Sequence, residues 1–410
     1  MPLDEAVATV IRVATEIRDS RPPETRRLGL WDASGYVVAE DIRADRDQPP
    51  FAKAMMDGYA CRSADLVAPE TALVVIGECA AGYGFDGVVG PGQAVAIMTG
   101  APLPDGATCV QMVERTRRLE GDTDTVLVEG PLKPGHNVAS QGEDTGVGDV
   151  VVESGRVVES LTAGVIGSVG QSHFEVHQRP RVHVMTTGDE LVALDAEPGP
   201  YQIRDSNCRT LIALLEREWC RVVDGGIVAD TVDATRAAIR EGLESDVLVL
   251  SGGVSAGTYD LVAQALADEG VEIVFHKIRV KPGKPVLFGR HPGGVVFGLP
   301  GNPVSAYVTA VLLLAPAVRV LGHRPHVDSW YLDLPLLGAV GPTTGRTTFH
   351  PADIVREHGV TSVRRRDWGG SADQVAYARA SVLIRREANT PAATEGEHVR
   401  VALPHQLASW

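Results

Sequence analysis

Between Asp246 and Pro303 an apolar strand, two glycine-rich turns and most of the chain's lysines follow one another, and this stretch leaves few folds open. Asp246-Val-Leu-Val-Leu250 is a short, continuous apolar run, which predicts a strand buried on both faces. It ends in Ser251-Gly-Gly-Val-Ser-Ala-Gly257, and Thr258-Tyr-Asp260 then opens a helix. A turn that bares backbone N–H groups at a helix N-terminus suits an anion, so phosphate is the first expectation. Taken alone, the glycines are also compatible with an ordinary βα turn, because glycine reports only positive φ or close backbone approach.

The lysines strengthen the phosphate reading. Only five of the 38 Lys and Arg residues are lysines, and three of these, Lys277, Lys281 and Lys284, fall within His276–Pro285. Compact ammonium groups act on phosphate as point charges, and Pro282, Gly283 and Pro285 hold the segment in a turn. Gly298-Leu-Pro-Gly-Asn-Pro303 closes the stretch, with Pro303 placed as the first residue of a helix over 304–314.

The 410 residues, 44% hydrophobic, predict about two to four domains with real cores. A net charge of −15 argues against a general nucleic-acid or anionic-membrane binder, so any anionic ligand is held locally. Cys61, Cys79, Cys109, Cys208 and Cys220 are scattered without a Cys-x-x-Cys pair, which predicts reduced thiols of a soluble, cytoplasmic protein. Met-Pro-Leu-Asp-Glu at the start is not expected to be a signal peptide. The most apolar helix, 304–318, is expected to be too short to span a bilayer and to be interrupted by Pro316.

Leu3, Val7, Val10, Ile11, Ala14 and Ile17 recur at helical spacing and predict an opening amphipathic helix. Short β runs follow at 72–78, 93–99, 109–113 and 125–128, the mark of a β-rich insert over 45–145. Helical pattern returns at 160–169, where Leu161, Val165 and Ile166 are expected to pack beside the first helix, joining 1–44 and 146–178 into one interrupted linker domain. Over 179–325 strands alternate with helices: strands at 182–186, 221–228, 247–250 and 271–275, helices at 208–218, 233–243 and 261–267. That rhythm predicts a doubly wound, mostly parallel α/β/α domain with ligands beyond the carboxyl ends of its strands. Short β segments at 330–334, 360–364, 381–385 and 399–402 predict a small β domain over 326–410. The fold class expected is therefore multidomain α/β plus β.

Acidic residues recur in the turns: Asp57, Asp144, Glu190, Asp205, Asp230 and Asp260. Near a phosphate they would repel it unless a divalent cation intervened, and magnesium accepts a few carboxylates together with phosphate oxygens. Lysines plus turn carboxylates thus suggest metal-assisted phosphate chemistry. The twelve histidines are expected to be structural.

Met56-Asp-Gly-Tyr-Ala60, Met98-Thr-Gly-Ala-Pro-Leu-Pro104, Gly142-Glu-Asp144, Thr187-Gly-Asp-Glu-Leu191, Asp205-Ser-Asn207, Ser251-Gly-Gly-Val-Ser255 with Asp260, Lys281-Pro-Gly-Lys-Pro285 and Gly298-Leu-Pro-Gly-Asn-Pro303 stand in order along the chain. Together they resemble the MoeA family, the molybdopterin molybdenumtransferases, to which the gephyrin E domain also belongs. The resemblance covers essentially the whole chain and implies a MogA-like α/β domain, a β insert, an interrupted linker domain and a C-terminal β-barrel-like domain. It implies insertion of molybdate into adenylylated molybdopterin, with magnesium-dependent hydrolysis and loss of AMP. It further implies a homodimer in which Asp57, Thr99 and Asp144 of one subunit face Glu190, Asp230, Asp260, Lys277 and Lys281 of the other. By role, the resemblance gives Lys277, Lys281 and Lys284 to anionic groups, and Gly252, Gly253 and Ser255 to backbone contacts with pterin or phosphate. Glu190 and Asp260 would hold the metal and position water, and Pro300 and Pro303 would shape the floor. The molybdopterin adenylyltransferase and downstream maturation factors are the implied partners, with neither nucleic acid nor membrane.

Two segments depart from the family pattern. Phe51-Ala-Lys-Ala-Met55 stands where an Asn-Ser pair is frequent, and Gly370-Ser-Ala-Asp373 lacks the histidine that commonly follows Gly-Ser, leaving Ser371 as that segment's candidate. Two rival readings stay open: a pterin-binding carrier or scaffold without turnover, and a molybdopterin adenylyltransferase. Retention of Asp57, Asp144, Glu190 and Asp260 favours turnover, and the β insert and C-terminal domain go against the adenylyltransferase.

Overall fold

The structure, a computed structural model, describes residues 1–119, 124–253, 259–325, 327 and 331–403, without the side chains of 259–261. The chain forms two compact units, one of residues 1–39, 155–158 and 175–410, the other of residues 40–154 and 159–174.

The larger unit is built on a six-stranded sheet in the order Arg221–Val228, Arg181–Thr187, Val247–Ser251, Gly294–Leu299, Leu287–His291, Glu272–His276. The first four run parallel, and Leu287–His291 is antiparallel to both its neighbours. Alternation along Val247–Ser251 explains its unbroken apolar run. Val247 and Val249 join Leu211, Leu215 and Leu312–Leu314 on one face, while Leu248 and Leu250 join Ile239, Val262 and Leu266 on the other. Each such leucine, fully removed from water, contributes about 1.5–3 kcal/mol. The hairpin of Leu287–His291 and Gly294–Leu299 is not foreseen from sequence, because glycines punctuate both strands. Gly294 is required there: a Cβ would lie 2.0 Å from the Asp246 carbonyl oxygen.

One sequence expectation is corrected outright. The apolar helix runs over Pro303–Leu321, 19 residues, long and apolar enough to cross a membrane by length and composition, and Pro316 does not end it. Proline removes a backbone donor and crowds the carbonyl four residues back, here Leu312. Leu312 lies in a widened π turn, Ala310–Leu314, which absorbs that mismatch between two α-helical halves. The helix is almost entirely buried and forms one wall of the sheet's core. A bidentate ion pair at 2.7 Å between Arg319 and Glu218 ties its end to the neighbouring helix Ser206–Arg217.

The first helix, Leu3–Asp19, also departs from expectation. Its face of Leu3, Ala6, Val10, Val13, Ala14 and Ile17 packs into this same core. Helix Ser160–Ser168 belongs to the smaller unit, with Leu161 and Val165 exposed and Ile166 buried. Helical periodicity identifies an apolar face but not the partner that covers it.

Beyond the sheet, strands Thr347–Glu357, Val360–Arg365, Tyr331–Leu337, His398–Ala402 and Val382–Arg386 pair in that order, and the last pairs back with the first, closing a ring. Val280–Lys281 adds to this ring through Val280↔Thr347 and Lys281↔Thr348, so the lysine turn is hydrogen-bonded to the C-terminal strands.

The smaller unit holds a six-stranded sheet ordered Cys109–Met112, Gly58–Cys61, Gln93–Ile97, Glu70–Cys79, Thr125–Glu129, Thr116–Leu119. All five cysteines of the chain are buried and unbridged, and Cys61 and Cys109 face each other with their sulfurs 3.8 Å apart.

Candidate functional site

Thr187, Ser251 and Leu299 are the last residues of three adjacent parallel strands, and the loops that leave them open a cavity of about 970 Å³. This is where a doubly wound sheet presents ligands, since loops diverge at the carboxyl edge. Two glycines make the central turn possible. Gly252 (φ +96°) and Gly253 (φ +65°) adopt backbone conformations costly for other residues, and a Cβ on Gly252 would lie 2.3 Å from the Thr187 carbonyl oxygen.

Asn207 fastens two of the loops together. Its Nδ2 donates to Ser251 Oγ at 3.0 Å and to the Gly301 carbonyl at 2.8 Å. The helix bearing Asn207 is itself held in place by Asp205. That buried carboxylate accepts from Cys208 N–H as a cap and from Thr186 Oγ1 at 2.5 Å. On the far side, Asn302 Nδ2 donates to Ser371 Oγ at 2.9 Å, and Val304 N–H donates to the Ser371 carbonyl. Ser371 therefore joins the C-terminal segment to the start of the helix Pro303–Leu321.

The cavity brings both signs of charge together. Glu190 and Asp230 line it, as do Lys281, Lys284 and Arg346. Asp230 is pushed above the ordinary carboxylate range, first by burial and then by the neighbouring charges of Asp189 and Glu190. Among the described residues Arg346 forms no ion pair with a carboxylate. Trp368, half-buried, forms part of the wall.

Of the residues expected from sequence, the cavity gathers Glu190, Asp230, Gly252, Gly253, Lys281, Lys284, Pro300, Pro303 and Ser371. Ser255 and the side chain of Asp260 lie outside the described residues. Lys277 is exposed and does not line the cavity. It sits in a left-handed turn (φ +70°), with its N–H donating to the Val286 carbonyl. Asp57, Thr99 and Asp144 belong to the smaller unit. There Thr99 donates to Asp57 through its backbone and its hydroxyl, and Asp144 is exposed with its N–H on the Gln48 carbonyl.

Sequence reasoning misses Arg346 and Trp368 and gives Asn207 no role of its own. The first two come from the C-terminal segment, which the pairing of Lys281 with Thr348 and the bonds of Ser371 to Asn302 and Val304 carry to the strand ends. Asn207 had a local signal, since it directly follows a helix-capping Asp-Ser pair.

Among the described residues no three His, Cys, Asp or Glu side chains converge as a metal cage. Glu190 and Asp230, with Asp189 adding charge that Asp230 already registers, fit instead a hard cation held by one or two carboxylates and shared with phosphate oxygens.

Comparison with known proteins agrees across the whole chain. The family described as MoeA N-terminal region (domain I and II) matches residues 1–170, and the family described as Probable molybdopterin binding domain matches residues 183–320. The molybdopterin molybdenumtransferase of Haemophilus influenzae is 34% identical over 387 residues, 93% of this chain and 94% of that protein. The one from Nostoc sp. is 33% identical, covering 78% of this chain and 75% of the relative. Two solved structures of the molybdopterin biosynthesis moeA protein of Pyrococcus horikoshii each cover 98% of this chain and are 99% covered in turn. Their TM-scores are 0.83 at 26% identity and 0.76 at 30% identity.

Proposed function

The chain belongs to the MoeA family of molybdopterin molybdenumtransferases, and we propose that it inserts molybdate into adenylylated molybdopterin with release of AMP. It is an enzyme, a transferase of molybdenum cofactor synthesis. The observation that carries the reading is one cavity at the strand ends that combines Lys281, Lys284 and Arg346 with Glu190 and Asp230. The cations suit the oxyanions of molybdate and phosphate, while the carboxylates suit a hydrated cation and an attacking water.

In this reading the glycine turn and the N–H groups around it bind phosphate oxygens, and Pro300 and Pro303 shape the floor. Ser371 holds the C-terminal wall against that floor through Asn302. Glu190, with Asp260 or Asp230, would hold magnesium, which supplies charge neutralisation and polarises a phosphoryl oxygen when bound. Hydrolysis of the pyrophosphate link adds one water, whose oxygen bonds to one phosphorus while the bridging oxygen leaves with the other. Glu190 and Asp230 orient that water and accept its proton. Asp57, Thr99 and Asp144 of a second subunit complete the site in a homodimer, and Lys277 guides the anionic substrate from outside the cavity. The protein works in the cytoplasm, receiving substrate from the adenylyltransferase and passing product to maturation factors of molybdoenzymes. The MogA-like character of the α/β domain and the barrel-like C-terminal domain belong to the same reading.

The test is incubation of purified protein with adenylylated molybdopterin, molybdate and magnesium, following AMP and activation of an apo-molybdoenzyme. AMP release that requires both molybdate and magnesium is the expected result. Tight binding without release would overturn it in favour of a carrier, and consumption of ATP in favour of an adenylyltransferase.

A further inference from the structure

Trp368 stands in the cavity wall among small neighbours. Gly369 and Gly370 follow it, Gly370 with φ +110° and open space where a Cβ would point. The two residues after the indole therefore add no side chain to the cavity wall. Two aromatic rings hold it from other sides, Tyr377 at 5.4 Å and 79° and His350 at 6.2 Å and 80°. Both meet it edge to face, and neither stacks on it in parallel. Tyr377 is fixed in turn by its hydroxyl, which donates to the Phe349 carbonyl at 2.8 Å. His350 stays neutral behind the indole, pulled down to about 4 by burial and then by Arg365, Lys281 and Arg386. A rigid indole thus shares one cavity with the cations Lys281, Lys284 and Arg346.

We infer that Trp368 is the stacking platform for a flat heterocycle of the substrate, placed so that the ring lies on the indole while its phosphate reaches the lysine turn. This rests on the molybdenumtransferase reading, in which the substrate offers two such rings, a pterin and an adenine. Both present a π face of suitable size, and stacking does not depend on the ring's hydrogen-bonding pattern.

Calorimetric titration of the full-length protein with AMP, pterin-6-carboxylate and ribose 5-phosphate tests the inference. Trp368→Leu should weaken at least one of the two ring ligands by about 5- to 150-fold and leave ribose 5-phosphate within about twofold. Trp368→Phe should restore most of the loss. A loss for AMP alone assigns the adenine, and a loss for the pterin alone assigns the pterin. Should Trp368→Leu not fold, Trp368→Phe serves by itself, because it should abolish the quench of tryptophan emission that the ring ligand causes in the native protein. Unchanged ring affinity in Trp368→Leu, equal weakening of all three ligands, or a quench that survives in Trp368→Phe overturns the inference. AMP release by the native protein is read separately: release with unchanged ring affinity sinks only the stacking role, while ring-dependent binding without release sinks only the molybdenumtransferase reading.

Discussion

Thr99 donates twice to a single oxygen of Asp57: its backbone N–H reaches Oδ1 at 2.6 Å and its hydroxyl reaches the same atom at 2.7 Å. The two bonds, the backbone one first, hold the Asp57 carboxyl below the ordinary carboxylate range. Oδ2 carries no such bond to Thr99.

Asp57→Ala should abolish AMP release while leaving the melting temperature within about a degree or two, because an exposed surface residue adds little to stability. Thr99→Val should keep the backbone bond, lose the hydroxyl bond and raise the Asp57 pKa, shifting the acid limb of the AMP-release profile to higher pH. A marked fall in melting temperature for Asp57→Ala would make the residue structural instead.

Gly252→Ala forces a Cβ to within 2.3 Å of the Thr187 carbonyl oxygen at φ +96°. The contact sets Cβ, whose place the backbone fixes, against a backbone oxygen, and no rotamer change relieves it. Chemical denaturation should show a loss of about 1–3 kcal/mol, with weakened substrate binding. Full stability and affinity in this variant would mean that the turn readily takes another shape.

How far the site is legible in the sequence depends on chain distance. Val247–Ser251, the two glycines after it and the lysine turn are local signals, and each lands at the cavity. The run of valine and leucine reads correctly because both sheet faces are covered, so every position is apolar. Gly294–Leu299 has the same environment but is blurred by its glycines. Arg346 and Trp368 carry no local mark of function. Their relevance arises from long-range contacts, the pairing of Lys281 with Thr348 and the bonds of Ser371 to Asn302 and Val304, each across some seventy residues of sequence, and contacts of that kind have no periodicity to read. Lys277 shows the reverse case, where clustering in sequence with Lys281 and Lys284 did not bring its side chain to the cavity lining.

Asn207→Ala leaves Ser251 Oγ and the Gly301 carbonyl without their shared donor. The expected cost is about 1–2 kcal/mol, with a larger rise in KM than fall in kcat, because the loops that shape the floor lose their tie. Asn207→Asp should be worse than alanine, since it sets an acceptor against two oxygens. Equal kinetics for the native protein and both variants would remove Asn207 from the site's architecture.

His323 and His177 stack face to face, with centroids 3.7 Å apart and planes within 7°. His323 is pulled down to about 4, first by burial, then by His177 and Arg18, against a small opposing pull from Asp19. A base whose folded pKa is depressed favours folding while it is neutral. Its contribution is therefore full above about pH 6.5 and is lost as pH falls toward 4, where the unfolded chain binds the proton first. The native protein should lose melting temperature across that window more steeply than His323→Phe, which keeps the stack without the charge. Parallel profiles for the two proteins would sink the assignment.

The order in which the ribosome delivers this core follows from where its covering helices lie. One face of the large sheet is closed by Leu3–Asp19, made first, by Ser206–Arg217, and by Pro303–Leu321, made after every strand of that sheet. A nascent chain that ends near Leu299 holds all six strands while that face still lacks the Pro303–Leu321 helix. Truncation before Leu321 is accordingly expected to yield aggregation-prone, chaperone-bound material rather than a smaller folded domain.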